Sequence, residues 1–65
     1  MLQIKKRNGD KHEKIVFFTH EIKLVNEGYN NKIIDTTNNE VMDEITDTLQ
    51  GAVRFVIEKY GASLK

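Results

Sequence analysis

The sequence predicts a small α+β domain in which an antiparallel β-meander of three to four strands packs against one long C-terminal amphipathic α-helix. Three observations carry this. Apolar residues recur at three- and four-residue steps over the last third of the chain. The first half instead holds short runs rich in β-branched and aromatic residues, separated by Asn and Gly. Finally, at 65 residues the chain has room for one modest core.

Leu2 and Ile4 alternate with Gln3 and Lys5, Asn8-Gly9-Asp10 supplies turn residues, and Ile15-Val16-Phe17-Phe18 follows as a β-rich run, so a first hairpin is expected. A four-residue loop from Asn8 to Lys11 sets Leu2 opposite Phe17, Ile4 opposite Ile15 and Lys6 opposite Glu13, whereas a two-residue turn would set Ile4 against Glu13. Residues 19–35 carry two periods: Phe18, Ile22, Val25 and Tyr29 fit a helical step, and Val16, Phe18, His20, Ile22 and Leu24 fit strand alternation. Gly28 with Asn30 and Asn31 ahead of Lys32-Ile33-Ile34 favours a second hairpin, giving the order ββββα, with ββαβα as the alternative.

The helix is expected over residues 38–60. Met42, Ile45, Leu49, Ala52, Val53, Val56, Ile57 and Tyr60 form its stripe, with Leu49 at the centre. Thr37 followed by Glu40 reads as a capping box, Arg54 and Lys59 complement the negative end of the dipole, and Gly61 supplies the stop. Gly51, inside the helix, hints at a close approach of another backbone. Residues 61–65 are expected to be a frayed tail.

Composition narrows the function classes. Lys and Arg number ten and Asp and Glu ten, so the formal charge is zero, unlike a dedicated nucleic-acid coat. The absence of Cys excludes disulfides and thiolate metal sites, and a reducing, cytoplasmic setting is expected; no apolar run has the length of a signal core or a membrane span. A core this small without a covalent staple leads us to expect a homodimer.

No catalytic, cofactor-binding or metal-binding set emerges, and no cofactor is expected. The glycines are scattered, so there is no phosphate loop. His12 and His20, beside Glu13 and Glu21, match no ligand spacing, and neighbours on a strand point to opposite faces. Ser63, the one serine, falls in the tail.

Three surfaces remain. Lys5, Lys6, Arg7, Lys11 and Lys14 make the first hairpin basic, which suits phosphate or partner contact, or protects a sheet edge from pairing. On a helix, Glu40, Asp43, Glu44 and Asp47 would form an anionic docking patch over two turns. Val41, Val53, Ile57 and Tyr60 would flank the helix stripe as a dimer interface. The expected function is therefore that of a small non-enzymatic interaction or regulatory protein acting by macromolecular binding as a homodimer, with an unknown protein partner; a nucleic-acid-binding module using the basic hairpin is the alternative.

Overall fold

The computed structural model describes residues 13–65. The expected strand holding Leu2 and Ile4, the loop from Asn8 to Lys11, and residues Lys5, Lys6, Arg7, Lys11 and His12 lie outside the described residues. Four strands, β1 (Glu13–Phe18), β2 (Ile22–Glu27), β3 (Asn30–Asp35) and β4 (Glu40–Thr46), form an antiparallel meander in sequential order, and α1 (Leu49–Tyr60) follows. The α+β class, with one C-terminal helix on an antiparallel sheet, is the one the sequence predicts.

Alternation decides which face is covered. Ile22, Leu24 and Asn26 of β2 are buried while Lys23, Val25 and Glu27 between them are not. The register sets Phe18 opposite Ile22, Leu24 opposite Ile33 and Asn26 opposite Asn31. These inner residues meet Ala52 and Val56 of α1, and with Ala62 they make the core. Burying a side chain the size of Phe18, Leu24, Ile33 or Val56 contributes about 2 kcal/mol each before ordering costs.

The second hairpin turns at Gly28, whose φ of 65° suits a residue without Cβ. The β1–β2 turn instead places His20 (φ 66°) and Glu21 (φ 56°) in the left-handed region, where neither side chain is at ease. Its surroundings hold it there: the Glu21 carbonyl accepts from Thr36 N–H at 2.9 Å, and the Thr37 hydroxyl donates to the Glu21 carboxylate.

The helix is shorter than expected. Residues 40–46 are β4, not the first two turns of a helix over 38–60, and Thr37 and Glu40 form no capping box. They belong to the β3–β4 turn, in which the Asp35 carboxylate accepts from Thr37 N–H at 2.8 Å, Asn38 Oδ1 accepts from Glu40 N–H at 3.0 Å, and Asn39 takes φ 62°. The N-cap is Thr48, whose hydroxyl accepts from Gly51 N–H at 3.2 Å. Leu49 thus opens the helix, and Ala52 and Val56 are its buried residues. Gly61 ends it at φ 68°, donating its N–H to Ile57 C=O at 3.0 Å, as expected of a left-handed cap.

Residues 61–65 are not a frayed tail. Ala62 is buried, Thr19 N–H donates to Ser63 C=O at 2.8 Å, Lys65 N–H donates to Phe17 C=O at 3.0 Å, and Leu64 bridges to Phe18. Ser63 N–H also donates to the Thr19 hydroxyl at 2.9 Å, so the chain after the helix returns to the outer edge of β1.

Candidate interaction surfaces

Because the helix covers one side of the sheet, the other side displays the alternate residues. Across β1, β2, β3 and β4 the register places Phe17, Lys23, Ile34 and Val41 in one row and Ile15, Val25, Lys32 and Glu44 in the next. A third row holds Glu13, Glu27, Asn30 and Thr46. Five apolar side chains therefore share this outer face; Phe17 is 55% exposed, Val41 47% and Ile15 46%, whereas an antiparallel sheet covered on one side ordinarily turns polar residues to water.

The sequence held the signal. Ile15-Val16-Phe17-Phe18 is apolar at four successive positions, and Lys32-Ile33-Ile34 ends in two, so both faces receive apolar side chains where one covered face needs only alternate ones.

The expected dimer flank does not form one surface. Val41 lies on the outer sheet face, whereas Val53, Ile57 and Tyr60 are on α1, with Val53 and Tyr60 packed against the core and Ile57 exposed. A shallow groove beside Ile57 is lined by Thr48, Gly51, Arg54 and Glu58.

The four carboxylates expected as a helical patch separate instead along β4. A bulge at Met42, opposite Ile33 and Ile34, turns Asp43 toward the helix. There its Oδ2 accepts from Lys59 Nζ at 2.8 Å and from the Tyr60 hydroxyl. The Lys59 and Tyr60 hydrogen bonds hold the Asp43 carboxyl below its usual pKa, while burial, reinforced by the Asp43 carboxylate, pushes the Tyr60 hydroxyl up to about 12. Glu44 projects from the other face opposite Lys32, and Glu40 sits at the turn opposite Asp35. Asp47 accepts from Thr48 N–H at 2.7 Å at the start of α1. Asp43 and Asp47 thus have local structural partners, and the four carboxylates do not form one patch.

Of the basic set, Lys14 alone is described. It stands opposite Asn26, so its register position is on the helix side of β1. His20 is in the β1–β2 turn, exposed, with Nδ1 2.9 Å from the Thr19 hydroxyl. Among the described residues no group of three or more His, Asp or Glu is placed to hold a metal ion. Among them, too, no helix is long and apolar enough to cross a membrane. Comparison with protein-family models, curated proteins and solved structures finds no match.

Proposed function

We propose that the protein is a small non-enzymatic interaction or regulatory protein of the cytoplasm that acts by binding a macromolecule on the outer face of its sheet. The observation that supports this reading is the set of Ile15, Phe17, Val25, Ile34 and Val41, which share the face turned away from the helix. Covering such residues removes apolar area from water at about 25 cal/mol per Å², which is the usual driving force of association. The Lys and Glu residues around them would set orientation more than affinity.

Charge weighs against the nucleic-acid alternative for the described body. The first twelve residues hold Lys5, Lys6, Arg7 and Lys11 against Asp10, and the whole chain is neutral, so residues 13–65 carry three more negative than positive charges.

The test is capture from native lysate by the immobilised full chain, with and without nuclease, comparing wild type with Phe17→Glu. Phe17 is exposed, so its replacement should leave the far-ultraviolet circular dichroism unchanged. The expected result is nuclease-resistant protein, copies of the chain included, held by the wild type and lost with the variant. Equal capture by both would refute the assignment of the face.

A further inference from the structure

We propose that residues 62–65 are a displaceable strap on the edge of β1, and that this edge accepts in its place an extended segment of another protein. The segment it fits carries a small residue, a polar residue and an aliphatic one, in the order of Ala62, Ser63 and Leu64. The bound strap shows what the edge recognises. Leu64 pairs antiparallel with Phe18, Thr19 N–H donates to Ser63 C=O at 2.8 Å, and Lys65 N–H donates to Phe17 C=O at 3.0 Å. These are the main-chain bonds of an added strand, and they supply affinity without regard to sequence. Selectivity comes from the alternate side chains. Ala62 is buried in the core, where a larger side chain would overfill the packing, and Leu64 lies level with Phe18. The Thr19 hydroxyl accepts from Ser63 N–H at 2.9 Å, a donor that any residue except proline supplies.

The strap can leave because the helix does not depend on it. α1 is closed by its own cap, Gly61 N–H donating to Ile57 C=O at 3.0 Å, and its last turn is tied to β4 where Lys59 and Tyr60 meet the Asp43 carboxylate. Gly61, at φ 68° with open space where a Cβ would stand, is the hinge between that fixed end and the strap. Beyond the hinge little apolar surface is committed: Ala62 buries a single methyl group and Leu64 is 56% exposed. Opening the strap therefore belongs to the low-stability end of the molecule. Among the described residues nothing else pairs with this edge at Phe17 to Thr19. An open strap thus presents Phe17 C=O and Thr19 N–H to an incoming strand, within the apolar run Ile15-Val16-Phe17-Phe18.

Amide hydrogen exchange of the full chain tests both halves of the proposal. In wild type, the Thr19 and Lys65 amides should be protected at least about a hundredfold less than those of Leu24 and Val56, which report the core. Equal protection of all four would mean that the strap opens only with the whole fold, and overturns the proposal. The peptide Gly-Ala-Ser-Leu-Lys is then added at about 10 mM, above the millimolar effective concentration that a short tether gives the strap. Lys65 should lose most of its protection while Thr19 keeps it, because the serine carbonyl of the peptide replaces that of Ser63. The same peptide with its leucine replaced by aspartate should leave both amides as they were. An unchanged Lys65 under the first peptide overturns the proposal, as does loss of protection at both amides, which would leave the edge empty.

Discussion

At the scale of single residues, the least expected is Asn31. Its neighbourhood, Gly28 to Asn31, was legible as a turn because Asn and Gly favour turns, but nothing in a turn signal says that one Asn is buried. It is 1% exposed, accepts from Asn26 Nδ2 at 2.7 Å, and donates to Asp47 C=O at 2.9 Å with longer contacts to the carbonyls of Tyr29 and Ile45. It thereby ties the second hairpin to the junction between β4 and α1. Asn31→Asp keeps the shape but turns a carboxylate oxygen toward those carbonyls, and should destabilise by about 3 kcal/mol or more. A urea midpoint within error of wild type would show that the site is wetter than its burial implies. Tyr60 makes the second residue-scale test. Its pKa in the folded protein, about 12, lies above the ordinary value of 10, so its contribution is fully present below pH 10 and is lost as pH rises toward 12. Asp43 runs the other way: its carboxyl is held below 3.8, so its contribution is present above that value and is lost as acid protonates it in the fold. Ultraviolet titration of a Tyr29→Phe variant should place the Tyr60 midpoint near 12, and Asp43→Asn should lower it; a midpoint near 10 would mean that the clasp between β4 and the end of α1 is open in solution.

At the scale of elements, β1 to β3 and the helix stop were legible because each rests on local chemistry, the apolar run for β1, alternation for β2, Gly28 for the hairpin to β3 and Gly61 for the cap, whereas β4 was not. The overlong helix has an equally physical origin. The bulge places Met42 against the core, three positions from Ile45, and four more lead to Leu49, so a strand imitates the helical step. Strict alternation would have put core contacts two apart. The acidic residues that read as a patch over two helical turns are residues of β4 and of the helix junction, and the cap itself, Thr48, has Gly51 where a capping box has Glu or Gln. Gly51 is a close-approach site, as its place in the helix hinted, but the neighbour is a side chain: a Cβ there would lie 2.3 Å from the nearest Asp47 carboxylate oxygen. Gly51→Ala should gain about 1 kcal/mol of helix propensity and lose a comparable part as Asp47 is pushed from Thr48 N–H, leaving a net change within about 0.5 kcal/mol. In an Asp47→Ala background the same substitution should stabilise by about 1 kcal/mol. Equal effects in both backgrounds, read from thermal melts, would show that the two groups do not touch.

At the scale of the whole molecule, the core among the described residues is small: seven buried apolar side chains, two of them alanines. That shortage supports the proposed partnership, and the apolar run Ile15-Val16-Phe17-Phe18 is the reason for proposing the sheet and not the helix as its place. Charge separates the two classes of partner. Phosphate binding would have to come from the first twelve residues, with Lys5, Lys6, Arg7 and Lys11, because the remaining body is net negative and would be repelled from a duplex wherever its carboxylates face it. The charge balance of the chain supports generic attraction. Duplex and single-stranded DNA should therefore bind at about 10⁻⁴ to 10⁻⁶ M, weakening steeply from low to physiological salt as counterion release is lost, and replacing both Lys6 and Arg7 with Glu should abolish what remains. Fluorescence anisotropy giving submicromolar affinity at physiological salt would instead make nucleic acid the partner, and survival of that affinity in the Phe17→Glu variant would separate it from the sheet face altogether.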